Sequence, residues 1–84
     1  MKLQEYKIET ENIQKAAPVE ANANTVTFIN KSAPGVIVYI DGYPLQQNES
    51  VTHSGNLLEI NKTRYNVRAN VVAFNLFVLR KIYQ

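Results

Sequence analysis

Polar and apolar residues change rhythm along this chain at Thr25. Residues 25–30 (Thr, Val, Thr, Phe, Ile, Asn) alternate with a period near two and carry β-branched and aromatic side chains suited to a pleated, half-buried surface, which predicts a first body strand. Lys31, Ser32, Ala33, Pro34 and Gly35 are turn residues, and the β-branched run 36–41 is the strongest strand in the sequence. Asp41-Gly42 predicts a tight hairpin, because both residue types tolerate positive φ. Pro44 lacks a backbone donor, so 43–46 is expected to be short and peripheral. Polar turns at 47–50 and 54–56 bracket a short strand at Val51, Thr52 and His53; Leu57, Leu58 and Ile60 mark another, closed by Asn61, Lys62 and Thr63.

Residues 65–83 hold neither proline nor glycine and read as two strands turning near Asn70 or Asn75. In the last stretch Val72, Phe74, Leu76, Val78 and Ile82 form one alternate set, yet Val71, Ala73, Phe77, Leu79 and Tyr83 on the other set are apolar as well. A sheet with one wet face shows clean alternation, so a strand apolar on both sides needs two covers. One is expected to be the chain's own core, with 71–79 as its buried centre, and the other a neighbouring molecule. A helix over 70–81 competes for the same residues, but their β-branched and aromatic content favours a strand.

Residues 1–24 are mostly polar, with scattered apolar positions Leu3, Tyr6, Ile8 and Ile13, and finish in a stretch holding Ala16, Ala17, Pro18, Ala21 and Ala23. They read as an N-terminal arm and linker that orders on meeting a partner. Tyr6 and Ile8 share one side of a strand, whereas Tyr6 and Ile13 share one side of a helix, so the period leaves the arm's conformation open. The remaining residues, 25–84, form the β domain. Its closely spaced turns suit an all-β fold, a small antiparallel β-sandwich or barrel with a polar N-terminal arm, and leave no room for the crossover helices of a parallel sheet.

With 84 residues the chain has room for one domain. A domain this small buries only about 60% of its unfolded surface, so its core is marginal. Small scaffolds add disulfides, a metal or oligomerisation. There is no cysteine and one histidine, which leaves oligomerisation or docking as the expectation. No apolar run has the length of a signal peptide or a membrane span, so a soluble chain made in the cytoplasm, without membrane contact, is expected.

The net charge of +2 gives no argument for nucleic acid, but its distribution is uneven. Glu5, Glu9, Glu11 and Glu20 outnumber Lys2, Lys7 and Lys15 in the arm, and basic residues outnumber acidic ones in the body, which favours arm-to-body contact between neighbouring copies. Lys62, Arg64, Arg68, Arg80 and Lys81 accompany Tyr65 and Tyr83, a combination small barrels use on single strands, yet they form no basic cluster, and a solvated basic face is the preferred reading.

Catalysis needs converging groups that exchange protons, attack or hold a metal. His53 stands alone between Thr52 and Ser54, and Asp41 and Glu49 sit where turns favour polar residues, while Glu59 falls in a predicted strand. Gly35, Gly42 and Gly55 are too widely separated for a phosphate-binding loop. The expectation is a protein that is not an enzyme, with no catalytic, cofactor-binding or metal residue, no cofactor and no small-molecule substrate. A carbohydrate- or receptor-binding module using Tyr39, Tyr43 or Tyr65 as a stacking surface is the main alternative, although tyrosines in sheets are more often half-buried.

One further pattern spans residues 25–83: Val26, Thr27, Phe28, Ile29 and Asn30; then Val38, Tyr39, Ile40, Asp41, Gly42, Tyr43, Pro44 and Leu45; then Asn48, Glu49 and Ser50, Gly55 and Asn56, Glu59 and Ile60, and Thr63, Arg64, Tyr65, Asn66 and Val67. This succession of strands and turns resembles small β-structured virion proteins of bacteriophages. It departs from them before Glu49, where Gln47-Asn48 replaces a frequent proline-glycine and keeps the turn. The resemblance implies a capsid-associated role in the virion, as a decoration or cement protein or a spike or fibre base, assembled in the host cytoplasm with copies of itself or other virion proteins. The residues expected to make the assembly contacts are Leu3, Tyr6, Ile8 and Ile13 of the arm and Phe74, Phe77 and Leu79 of the last strand.

Overall fold

The computed structural model describes residues 6–54 and 59–83, and among them there is no helix. Eight strands, β1 (Tyr6–Ile13), β2 (Ala17–Glu20), β3 (Thr25–Asn30), β4 (Val38–Ile40), β5 (Tyr43–Leu45), β6 (Ser50–Ser54), β7 (Arg64–Ala69) and β8 (Leu76–Tyr83), form two four-stranded sheets. Sheet A has the order β1-β8-β3-β6 and sheet B the order β2-β7-β4-β5. All pairings within both sheets are antiparallel. Apart from the β4–β5 hairpin, every connection carries the chain from one sheet to the other, so each sheet's inner face is built from segments distant in sequence.

Alternation decides which side chains meet in the middle. In β3, Val26, Phe28 and Asn30 turn inward and are buried while Thr25, Thr27 and Ile29 turn outward. Leu76 and Val78 of β8 join them from sheet A, and Val19, Val38, Ile40, Leu45, Tyr65 and Val67 come from sheet B. Phe28 and Tyr65 meet edge to face with centroids 5.3 Å apart, an aromatic geometry worth about 0.5–1.5 kcal/mol beyond the area it buries.

The turns follow their residue chemistry. Pro34 and Gly35 (φ 86°) make a reversal closed by the Val36 N–H donating to Ala33 O at 3.2 Å, as a type II turn requires. Asp41 (φ 49°) and Gly42 (φ 86°) make the β4–β5 hairpin, and Asp41 is fixed to β7 because its Oδ1 accepts from Asn66 N at 2.7 Å. Pro44 lies in β5, an edge strand, where a missing donor is tolerated. Asn70 and Asn75 bracket the β7–β8 connection. The Asn70 side chain accepts from Ile37 N at 2.9 Å and donates to Gly35 O at 3.2 Å; Asn75 N donates to Ser32 Oγ at 2.8 Å.

Three expectations are corrected. Residues 6–20, read as an arm and linker, supply β1 and β2 and are paired into both sheets. Their polarity is that of edge strands, which bury little: only Val19 of β2 is fully enclosed. Secondly, the span 71–79 is not buried throughout, since Val71 and Val72 lie in the loop before β8, 46% and 94% exposed, and of the others only Phe74, Leu76 and Val78 are buried. Thirdly, the strand expected around Leu57, Leu58 and Ile60 does not include Ile60, which is exposed and outside any strand; Leu57 and Leu58 lie outside the described residues, as does Leu3. The choice between helix and strand for 70–81 falls to a strand beginning at Leu76.

Candidate assembly surface

The strand expected to be apolar on both sides is β8, and its register defines what surrounds it. Inward it buries Leu76 and Val78; outward it presents Phe77, Leu79, Lys81 and Tyr83. On one side these stand opposite Asn12, Thr10, Ile8 and Tyr6 of β1, and on the other Phe77, Leu79 and Lys81 stand opposite Ile29, Thr27 and Thr25 of β3. Tyr6, Ile8, Ile29, Phe77, Leu79 and Tyr83 therefore share the outer face of sheet A. Ser50, Thr52 and Ser54 of β6 border it, and the hydroxyls of Thr27 and Thr52 are 2.9 Å apart.

One charge interrupts this face. The Lys81 Nζ lies 4.3 Å from the Tyr6 ring centre and 5.3 Å from that of Tyr83, and the two rings meet edge to face at 6.1 Å. Ring quadrupoles hold an ammonium in such a position by about 0.5–1 kcal/mol at an exposed site. Among the described residues, no carboxylate projects from this face.

Of the residues expected to make assembly contacts, Tyr6, Ile8, Phe77 and Leu79 come together here. Ile13 and Phe74 do not: Phe74 is buried in the chain's own core and Ile13 packs against it. Ile29, Lys81 and Tyr83 are additions to the expected set. The outward side of Ile29 was legible from the alternation of β3 but its place beside β8 was not, and the place of Lys81 between two rings depends on the β1–β8 register.

The inner side of the same edge is charged. Lys7 and Glu9 form an ion pair at 3.1 Å, and Glu11 accepts from Arg80 Nη1 at 2.9 Å. The Arg80 guanidinium also donates to Glu20 O at 2.8 Å and Ala21 O at 3.0 Å, so it fastens β8 to β1 and to the corner after β2. The remaining basic residues are dispersed. Arg64 pairs with Glu20 at 3.0 Å, and this guanidinium, followed by the Asn22 amide, holds the Glu20 carboxyl below the usual range. Arg68 lies 4.3 Å above Tyr39 on sheet B, while Lys81 is on the outer face of sheet A. Arg64, Arg68 and Lys81 line no common groove.

Other candidate chemistry does not converge. The His53 ring is stacked 4.8 Å from Tyr65 at the margin of the core. Tyr65 is buried, Tyr39 is half-buried beneath Arg68, and Tyr43 alone of the three proposed stacking tyrosines is exposed, at 59%. A cleft of about 430 Å³ opens between the β1–β2 connection and the β7–β8 loop, lined by Lys15, Arg68, Asn70, Val71, Val72 and Phe74 among others, with no carboxylate or imidazole in its wall. No group of three or more metal-ligating side chains occurs among the described residues. No protein-family model matches the chain, nor does any curated protein or solved structure.

Proposed function

We propose that this chain is a structural assembly module, a capsid-associated component of a virion of the decoration, cement or spike- and fibre-base type, that acts by docking the outer face of sheet A. The observation that carries the reading is the grouping of Tyr6, Ile8, Ile29, Phe77, Leu79 and Tyr83 on a sheet face that the chain's own second sheet does not cover. Covering such apolar area is favourable by about 25 cal/mol per Å². Tyr6 and Ile8 are exposed and the other four are half-buried, and an apolar grouping bordered by hydroxyls is a form that interaction sites take. The partners are virion proteins, including copies of the chain, and the place of action is the particle.

Co-sedimentation with purified particles of the phage that encodes the chain tests this. Wild-type chain is expected to saturate at a fixed copy number per particle, and Leu79→Lys, which puts a second ammonium in the middle of the face, to lose most of that binding. Equal binding by wild type and Leu79→Lys would overturn the reading, as would no binding by either. The alternatives have less behind them: the stacking tyrosines do not share a surface, and the basic residues are separated.

A further inference from the structure

Four strands lie at sheet edges: β1 and β6 in sheet A, β2 and β5 in sheet B. Exposed edges are templates for another chain unless they are short, interrupted by proline, bent by bulges or guarded by unmatched charges. β2 has four residues including Pro18, β5 has three including Pro44, and β6 has five. β1 has eight, without proline or glycine, in an unbroken register of eight pairs with β8. It is the longest edge among the described strands and holds no proline, and its charges are matched within the chain, Lys7 with Glu9 and Glu11 with Arg80.

The hydrogen-bond directions show which of its groups are open. From the β3 side, Asn24 N donates to Lys81 O at 3.0 Å and Lys31 N donates to Asn75 O at 2.9 Å. Odd-numbered residues of β8 thus turn their amide groups toward β3, and even-numbered ones toward β1. The β1 partners of those even-numbered residues are Lys7, Glu9, Glu11 and Ile13. Tyr6, Ile8, Thr10 and Asn12 are left with N–H and C=O directed away from the sheet, along a line long enough for another strand.

We infer that two copies of this chain join edge to edge through β1, antiparallel, about a two-fold axis at Ile8, into one continuous eight-stranded sheet. Within the described residues of β1, the charges favour a second copy in this register. With the axis at Ile8, Tyr6 faces Thr10 of the second copy as a hydrogen-bonded pair, and Lys7 faces Glu9 of the second copy twice, at the closer, non-hydrogen-bonded positions. Each Lys7, already 3.1 Å from its own Glu9, then lies between two carboxylates. An axis at Lys7 or Glu9 sets a charge against itself, and one at Thr10 sets Glu9 against Glu11. A C2 contact of this kind is self-complementary and closed. The pairing also merges the two outer faces, so that Tyr6 and Ile8 of both copies lie at the centre of one apolar platform. In that last respect the inference rests on the reading of sheet A as the docking face.

Sedimentation equilibrium of the full chain, from micromolar to near-millimolar concentration, tests the pairing with variants that separate it from the face. Thr10→Pro removes an outward N–H that no described strand of the monomer uses, so the monomer fold is expected to be retained and dimerisation to weaken at least about a hundredfold. Lys7→Glu is expected to weaken it about tenfold, and the swap Lys7→Glu with Glu9→Lys to restore it. Leu79→Lys, which alters the face alone, is expected to leave the dimer intact. A chain that stays monomeric throughout, or a dimer indifferent to Thr10→Pro and to the charge variants, would overturn the inference. If Leu79→Lys abolishes dimerisation and Thr10→Pro does not, the edge pairing fails while the docking face stands. If Thr10→Pro abolishes it but Leu79→Lys still binds particles, the edge stands and the face fails.

Discussion

Replacing Asn30 with aspartate exchanges one amide nitrogen for oxygen at a position with no solvent access. The Asn30 Nδ2 donates to Val36 O at 2.9 Å and Leu45 O at 2.8 Å, and its Oδ1 accepts from Ser32 N at 3.0 Å. The side chain thereby ties the end of β3 to the start of the β4 segment and to the end of β5. A protonated aspartic acid can donate to only one of the two carbonyls. The other loses its partner while buried, at a cost of about 1–3 kcal/mol. At neutral pH the folded state must either hold a carboxylate against two carbonyl oxygens or keep the proton. Keeping it costs about 1.4 kcal/mol for each pH unit above the unfolded value near 3.9, so the added penalty at neutrality reaches up to about 4 kcal/mol. The folded-state pKa is raised, so the folded state retains a proton that the unfolded state releases. The variant is therefore least impaired below the unfolded pKa and loses stability as pH rises above it. A domain of this size has roughly 4–13 kcal/mol in total, so Asn30→Asp is expected to be folded near acid pH and close to unfolding at neutrality. Urea denaturation followed by circular dichroism, with wild type measured at each pH, reads the difference. A penalty equal at about pH 4 and about pH 7, or below about 0.5 kcal/mol at both, would show that the Asn30 amide does not hold these two carbonyls.

Three further outcomes are expected. Arg80→Met removes the donors to Glu20 O and Ala21 O and the partner of Glu11, and should cost about 2–4 kcal/mol, with faster amide exchange in β1 and β2; a loss below about 1 kcal/mol would show that the guanidinium does not hold this corner. Gly42→Ala places a Cβ that meets nothing within 4 Å, so its cost is conformational only, about 1 kcal/mol in urea, and Gly42→Asn should cost less; equal losses would point to a contact instead. The Glu20 carboxyl, held low chiefly by Arg64, should titrate by NMR at higher pH in Arg64→Met. Its stabilising effect is present above the unfolded pKa and disappears as pH falls through the lower folded value, and an unchanged midpoint in the variant would remove Arg64 as the cause.

The strands that bury one whole side are written plainly in the residues. Alternation at 25–30 predicts β3, the run 36–41 contains β4, and Asp41-Gly42 places the hairpin that the structure shows. β1 was less legible because an edge strand has no buried set to reveal its period. Its Tyr6 and Ile8 are about half exposed, and the alternating Lys7, Glu9 and Glu11 make the segment resemble a solvated arm. Ala21 and Ala23 are wholly buried at the corner leading into β3, yet small residues beside Pro18 read equally well as a linker. In the opposite direction, Val71 and Val72 look like core and are exposed, because the reversal bracketed by Asn70 and Asn75 lifts them off the sheet. The surface followed the same rule. Residues on β8 could be placed on opposite faces from spacing alone, which brings Phe77 and Leu79 together. Adding Tyr6, Ile8 and Ile29 required knowing that β1 and β3 flank β8, a matter of long-range pairing that local pattern does not contain.

The outer face of sheet A is the surface proposed for docking. Hydroxyl-radical footprinting of the chain, free and bound to particles, tests it one side chain at a time. Tyr6, Phe77, Leu79 and Tyr83 are expected to lose reactivity on docking, while Tyr43 on the edge of sheet B and Val72 in the β7–β8 loop keep theirs. Protection of Tyr43 and Val72 with Tyr6 and Phe77 unchanged would contradict the account and place the contact on another side of the molecule.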